Sequence, residues 1–471
     1  ATLSNKGSIN AASDNSVAVR GGDGRELITN EGAIRGSVFL GGNSDQFRQV
    51  GNGFVSGVLD GEDGNDTITG GGRADLFYGG NGNDILDGKG ANDTIFGGNG
   101  NDQLIGDGGN DILLSGVGND RLLGGFGHDV LRAGDGADYL VGNDQNDRLF
   151  GEAGNDTIYG GLHNDTIDGG SGTDELRAGV GNDSILGGPD HDFIFGDPGN
   201  DTLNGGAGAD VLRGGSGLDR LYGTSGNDTL FGETENDLLV GGDDNDHIYA
   251  GHGNDTVYGG RGNDIVDGGY GSDRMFGDNG NDILRGSFGF DTINGGNGND
   301  QVFGGPNNDV LVGVQGRDTL QGDSGNDTLS GGNDADFLRG GLDRDLLLGG
   351  NGNDVLMGEN SSDTLNAGNG NDILYGNYGN DFLDGGSGND RLYGGAGRDR
   401  FNFDRRDGVD RIVDFQNNLD VLDLSDFNLT RTGFMLRAAN SGNDVRISLG
   451  NGDVVVVEDI RETQLLDDII L

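Results

Sequence analysis

The sequence predicts an all-β chain, a parallel β-solenoid of stacked 18-residue coils, on three observations. A nine-residue unit, G-G-x-G-x-D-x-U-x with U a large apolar residue, runs without insertion or deletion over residues 61–402, which is 342 residues and 38 units. Position six is Asp in every unit, from Asp66 to Asp399, and position eight is apolar in every unit, from Ile68 to Phe401. Composition excludes an ordinary globular domain: the 471 residues carry a formal net charge of −51, 103 glycines, three prolines and no cysteine.

The coil follows from the unit. Six residues read as loop and three, x-U-x, as strand, with one apolar side chain per strand. A strand of three cannot stand alone. Two units therefore close one coil with two short strands facing each other, and coils stacked at the strand spacing of ~4.8 Å give a monomeric rod on the order of 90 Å long. Reversal every nine residues needs positive φ at some positions, which glycine adopts at least cost, and bare backbone leaves carbonyl oxygens free to face an ion. Position one is Gly in 33 units, the departures being Ser115, Ala133, Ala178, Ala250 and Ala367.

Before the array, residues 1–60 follow a looser period. Leu3–Ile9, Ile28–Ile34 and Val50–Val55 place short apolar strands around Asn-Gly corners, and residues 36–42 and 57–61 are further strands ending on glycine. Two or three coils of a parallel β-helix are expected here, with Gly21-Gly22-Asp23-Gly24 and Gly41-Gly42-Asn43-Ser44-Asp45 as partial ion-binding loops. A frayed cap is the competing reading. The first residues, Ala1-Thr2-Leu3-Ser4, have neither a basic nor an apolar leader character, so the expectation is a processed start or the C-terminal part of a longer chain.

After the array, residues 403–471 leave the nonapeptide. Residues 409–415 and 421–424 read as strands, and 445–449 with 454–457 flank Gly450-Asn451-Gly452-Asp453, a hairpin signal. A β-rich cap over the open solenoid end is expected, because unpaired strand edges are an aggregation hazard.

The repeat resembles that of the RTX (repeats-in-toxin) family of secreted bacterial proteins. That resemblance implies a calcium-bound parallel β-roll in which each ion sits between the loops of consecutive coils, so that paired carboxylates lie 18 residues apart. Carried onto this sequence, one edge of the roll starts from Asp66 and its metal candidates are Asp66, Asp84, Asp102, Asp120, Asp138, Asp156, Asp174, Asp210, Asp228, Asp264, Asp282, Asp300, Asp318, Asp354, Asp372 and Asp390. The other edge starts from Asp75, and its candidates are Asp111, Asp129, Asp183, Asp201, Asp219, Asp255, Asp273, Asp291, Asp327, Asp381 and Asp399. Residue chemistry agrees with calcium, since carboxylates and peptide carbonyls suit a hard cation and zinc or copper would want His or Cys. Sites of the order of tens are expected, and about 25 divalent ions would cancel the −51 charge. The two edges differ at position four. It is Gly in 16 of 19 units on the Asp66 edge and in 11 of 19 on the Asp75 edge, so fuller occupancy is expected along the former.

By the same resemblance, the terminal Asp467-Asp468-Ile469-Ile470-Leu471 is similar to the acidic-then-aliphatic ends of type I secretion substrates, and a final cap strand is compatible with that. The expectation is a secreted, non-enzymatic calcium-binding module that passes through the type I machinery unfolded and folds outside, where calcium is plentiful. Two alternatives stand beside it: a non-catalytic carrier region of a larger secreted hydrolase or polysaccharide-modifying enzyme, and a surface adhesin or surface-layer component that binds glycans or cells.

Other classes are excluded by what the sequence lacks. Lysine occurs only at Lys6 and Lys89, which leaves no basic patch for nucleic acid. No apolar run approaches a membrane span. His128, His163, His191, His247 and His252 form no H-E-x-x-H, there is no G-x-S-x-G, and each histidine reads as a solvated loop residue. Tyr270, Phe288, Phe290 and Tyr378 fall where loops are usually polar, and read either as cover for gaps between coils or as a glycan-binding ladder.

Overall fold

The computed structural model describes residues 1–12 and 16–471. The chain divides into two compact units, Ala1–Thr234 and Glu235–Leu471. In both, strands pair in parallel with the equivalent strand one coil on, 18 residues away. In the first unit Leu76–Asn81 pairs with Thr94–Asn99 in the register Phe77↔Ile95, and in the second Leu238–Asp243 pairs with Thr256–Arg261 in the register Leu239↔Val257. The position-eight side chains fill the interior: Ile68, Leu104 and Leu203 in one unit and Leu239, Leu311 and Phe401 in the other are fully buried.

Strands are longer than the sequence led one to expect. They run six residues, from position seven through position three of the next unit, as in Thr94–Asn99 and Thr256–Arg261, leaving only positions four to six as turn. The turn is itself stitched coil to coil. The position-four N–H of Gly82 donates to the Asn99 carbonyl at 2.8 Å, and the position-seven N–H of Ile85 donates to the Asp66 carbonyl at 2.9 Å. A peptide group left unpaired at a buried edge would cost about as much as a lost hydrogen bond, and stacking removes that cost.

The glycines divide into two physical roles. Left-handed φ is required at positions two and four, and non-glycine residues placed there adopt it too: Glu152 at 75°, Asp197 at 68°, Ala91 at 75° and Ser361 at 84°. Position one takes only Gly, Ala or Ser, since a larger side chain there would run into the carboxylate of its own unit. Two acidic residues at position two find a compensating partner in the same way. Glu152 accepts from Arg132 at 2.9 Å while that guanidinium lies 4.2 Å from the Phe150 ring centre, and Glu233 with Arg213 and Phe231 repeats the arrangement at 3.1 and 4.4 Å. Val314, at φ 91°, is a β-branched residue in a conformation that costs on the order of 1–3 kcal/mol. The expected result for Val314→Gly is a gain of about 1 kcal/mol in calcium-saturated denaturant unfolding; a loss of stability would show that the Val side chain contributes packing that outweighs the strain.

The first unit opens with three-sided coils. Strands β1 (Thr2–Asn5), β2 (Ser8–Asn10) and β3 (Val17–Arg20) precede β4 (Leu27–Asn30), β5 (Ala33–Arg35) and β6 (Ser37–Gly42), and then β7 (Gln46–Gln49), β8 (Phe54–Val55) and β9 (Leu59–Asp63). Each set stacks in parallel: β1 on β4 on β7, β2 on β5 on β8, and β3 on β6 on β9. The first and third faces continue into the array through Thr67–Thr69 and Leu76–Asn81, and the second face ends at β8. Arg73 lays its guanidinium 4.3 Å from the Phe54 ring centre at that end.

The second unit closes with a change of strand direction. Val409–Ile412 extends one parallel face (Leu392↔Ile412) and then pairs in parallel with Asp453–Val457. The latter turns through Asn451, at φ 57°, and Gly452 into an antiparallel hairpin with Asp444–Gly450, backed by Ala438–Ser441. Two short helices, α1 (Arg431–Met435) and α2 (Glu462–Leu465), complete the cap, with Thr430 accepting from the Gly433 N–H at 3.1 Å. Ile469–Ile470 is a last strand beside Val421–Asp423. Among the described residues no helix is long and apolar enough to cross a membrane.

Candidate metal centre

Each position-six aspartate is held by the coil stack. The backbone N–H of Asp66 donates to Asp84 Oδ1 at 2.7 Å, Asp84 to Asp102 at 2.8 Å, and Asp102 to Asp120 at 2.7 Å. On the other edge Asp93 donates to Asp111 Oδ1 at 2.7 Å and Asp111 to Asp129 at 2.7 Å. The second unit repeats this through Asp264 to Asp282, Asp282 to Asp300 and Asp372 to Asp390 on one edge, and Asp255 to Asp273 and Asp381 to Asp399 on the other. Exposure of these residues is a few per cent at most. The sequence-predicted candidates therefore form ordered columns along the two edges of each unit.

One carboxylate oxygen is satisfied and the other is not. From Asp84 to Asp210 and from Asp255 to Asp399, Oδ2 of every position-six aspartate is buried without a hydrogen-bond partner. An orphaned buried acceptor costs about 1–3 kcal/mol, and an unpaired charge more. These oxygens pack close against the position-one glycine. A Cβ built on Gly97 would lie 2.5 Å from Asp102 Oδ2 and 2.7 Å from the Ser115 carbonyl oxygen of the next coil; on Gly268 the corresponding distances are 2.6 Å to Asp273 Oδ2 and 3.0 Å to the Gly286 oxygen. A carboxylate and a peptide oxygen of the next coil thus approach the same glycine, and the carboxylate oxygen has no donor. At Ser115 a donor is built in, and its hydroxyl bonds the Ala133 carbonyl at 2.7 Å.

The electrostatics follow. Burial, opposed by the hydrogen bond from the preceding aspartate and reinforced by like charges one coil away, pushes Asp93, Asp147 and Asp201 up to about 8 in the first unit. The same causes push Asp282 and Asp345 up to about 8 in the second. Asp102 and Asp273 rise to about 7, and Asp156 and Asp264 to about 6, with burial the largest cause throughout. These are sites in want of positive charge. Among the described residues no group of three or more His, Cys, Asp or Glu side chains gathers that could hold a metal ion. An all-oxygen set of carboxylates and carbonyls fits calcium and does not fit zinc or copper.

Aspartates whose loops carry a non-glycine at position four take the same geometry. Asp147 donates to Asp165 Oδ1 at 2.8 Å, and Asp345 to Asp363 at 2.9 Å, although position four is His163 before Asp165 and Ser361 before Asp363. Both residues hold the left-handed φ that glycine would have, so the edges differ in strain and not in backbone path.

The columns also reach residues that periodicity does not announce. Asp390 donates to Asp410 Oδ1 and Asp399 to Asp420 Oδ1, both at 3.0 Å, at spacings of 20 and 21 residues where no glycine motif marks the loop. At the start, Asp45 donates to Asp66 Oδ1 at 2.7 Å. Its partial glycine loop was the sequence signal for it. Asp75 is closed off differently, with its carboxylate taking the Gln49 amide at 2.9 Å.

The profile of the RTX calcium-binding nonapeptide repeat matches this chain in overlapping stretches from 60–95 to 375–405 that together run over residues 60–405. The chain belongs to the RTX family. Its repeats are calcium-binding repeats, and the β-solenoid of 18-residue coils is the RTX β-roll. No curated protein matches the chain. Among solved structures, the extracellular lipase LipA of Serratia marcescens is similar at 16% identity and a TM-score of 0.21, over 46% of this chain and 40% of the lipase. The RTX chain thus spans well under two thirds of that protein's length.

The remaining candidates are structural. His191 Nδ1 accepts from the Ala209 N–H at 2.6 Å, the role asparagine plays in neighbouring loops, and His163 Nδ1 accepts from the Gln145 N–H of the preceding coil at 3.2 Å. His252, Tyr270 and Phe288 stack face to face at 4.7 and 4.9 Å with interplanar angles of 11° and 3°. Inside the stack the ring faces are taken, and a sugar ring needs an open face, so the arrangement favours cover between coils over a glycan ladder.

Proposed function

We propose that the position-six aspartates of consecutive coils hold calcium between them in columns along both edges, with backbone carbonyls of the glycine loops as the other ligands, and that the roll folds on calcium outside the cell after type I secretion. The observation that carries this reading is the run of buried, unpartnered Oδ2 atoms, each brought beside a peptide oxygen of the next coil at a position-one glycine. Calcium bound there supplies the positive charge the columns lack; the chain's own contribution is to present oxygen at fixed spacing, with each Oδ1 anchored by an amide. Sites of the extracellular kind, with dissociation constants of about 10⁻⁴–10⁻³ M, stay empty at cytosolic calcium and leave the chain unfolded for export. The terminal Asp467–Leu471, similar to type I substrates, is compatible with a signal that reads in the unfolded chain and becomes a cap strand afterwards. The module is read as non-catalytic, since a carboxylate holding a divalent cation stays ionised and cannot act as a general acid.

The edges provide the test. Replacing Asp354 and Asp372 by Asn removes ligands from the Asp66 edge, where position four is Gly352 and Gly370. Replacing Asp345 and Asp363 removes them from the Asp75 edge, where Asp343 and Ser361 hold strained φ of 71° and 84°. Calcium titration followed by circular dichroism is expected to show the larger loss of affinity for the first pair. Equal losses would contradict the edge asymmetry, and no loss in either would contradict the ligand assignment.

A further inference from the structure

The Asp66 column does not end where the family profile ends. Residues 21–29, Gly21-Gly22-Asp23-Gly24-Arg25-Glu26-Leu27-Ile28-Thr29, are a full nonapeptide with Glu at position six, and residues 40–48 are a second with Leu40 at position one and Asp45 at position six. Both precede residue 60, where the profile begins. Both lie in the three-sided coils, where the third face lengthens the spacing from 18 residues to 19 and 21, so a nine-residue period does not register them.

The structure treats them as members of the column. The Glu26 N–H donates to Asp45 Oδ1 at 2.7 Å, as each array aspartate does to the next, and Asp45 passes the pattern on to Asp66. Ile28 and Phe47, at position eight, are buried, and Gly41 and Asn43, at positions two and four, hold φ of 106° and 80°. Asp45 is 1% exposed; its Oδ2, and Oε2 of Glu26, are buried with no hydrogen-bond partner. The approach of carbonyl and carboxylate to a glycine recurs as well. A Cβ on Gly21 would run into the Leu40 carbonyl oxygen and lie 3.3 Å from the Glu26 carboxyl carbon, the same carbonyl and carboxylate that converge beside each array glycine. Among the described residues, the cation that faces the pair is the Ala1 ammonium, 3.9 Å from Glu26 Oε1.

We propose that Glu26 and Asp45, with the Leu40 carbonyl, hold a divalent cation of the calcium type, so that the ion column continues into the three-sided coils and fastens them to each other. This rests on the reading that the array aspartates bind calcium. Buried carboxylates this close either repel or share a cation, and neutral isosteres separate the two cases. In the full chain at saturating calcium, Glu26→Gln and Asp45→Asn are expected to lower hydrogen-exchange protection of Leu27–Asn30 and Gln46–Gln49 by about tenfold or more. Glu26→Asp, which keeps the charge, retains part of that protection. The calcium-induced circular dichroism of the array stays as in the parent chain and reports that the variants fold. Unchanged or increased protection in the amide variants would overturn the proposal, because removing unsatisfied like charges would then relieve repulsion. A parent chain whose array shows no response to calcium would instead overturn the reading beneath it.

Discussion

Excess EGTA is expected to unfold the array. Each nine-residue unit buries one large apolar side chain, worth roughly 1.5–3 kcal/mol, against the backbone entropy of nine ordered residues at about 1–2 kcal/mol each. Interstrand hydrogen bonds contribute only modest net stability, and the columns of unpartnered carboxylates oppose folding. Calcium acts on that last term. It binds the folded loops and not the extended chain, so each site filled at ten times its dissociation constant adds about 1.4 kcal/mol by mass action. Chelation should therefore abolish the β-sheet circular dichroism and expand the chain toward an unfolded radius of gyration of roughly 80 Å. Restoring calcium should reverse both. A chain that stayed β-rich and compact in EGTA would show that side-chain packing alone holds the roll together and that calcium is dispensable to it.

Calcium affinity is expected to fall steeply as pH is lowered from about 8 to about 5.5, by about tenfold or more. The sign follows from the folded carboxyls. Asp93, Asp147, Asp282 and Asp345 rise to about 8, Asp102 to about 7 and Asp156 to about 6, above the ordinary 3.8, so in the metal-free roll these groups are protonated at acid pH. A pKa raised by folding contributes stability that is present below the unfolded value and is lost as pH rises through the folded one. Two outcomes follow from one cause. The metal-free chain gains β structure on acidification from about pH 8 to about pH 5, and calcium, which must displace those protons, binds more weakly over the same window. Titrations by circular dichroism across that range check both, and a calcium midpoint independent of pH would contradict the burial of ionisable oxygen in the columns.

Much of the fold was legible because the period never slips. A constant spacing of 18 residues places Asp84 over Asp66 and Leu86 over Ile68 with no further information, and the all-β solenoid and the family follow from that. Strand length was less legible. Position one looked like loop because glycine is a poor strand former, yet Gly79 and Gly97 lie within six-residue strands, where a buried edge carboxylate leaves little room for a side chain. The tolerance of Glu152 or Glu233 at a left-handed position was invisible because the partner that favours it, Arg132 or Arg213, sits one coil earlier. Asp410 and Asp420 were hidden for a related reason. Their loops are lengthened by two and three residues, which destroys the nine-residue phase while the stack, which recognises only an N–H at the right height, still accepts them.

The claim on which the rest depends is that cations lie between the stacked carboxylates. Anomalous diffraction from crystals grown at saturating calcium tests it most directly. A row of peaks is expected along each edge, each within bonding distance of Oδ2 from consecutive position-six aspartates and of backbone carbonyls in the glycine loops. Carboxylates resolved without such peaks, with water or nothing beside Oδ2, would contradict it.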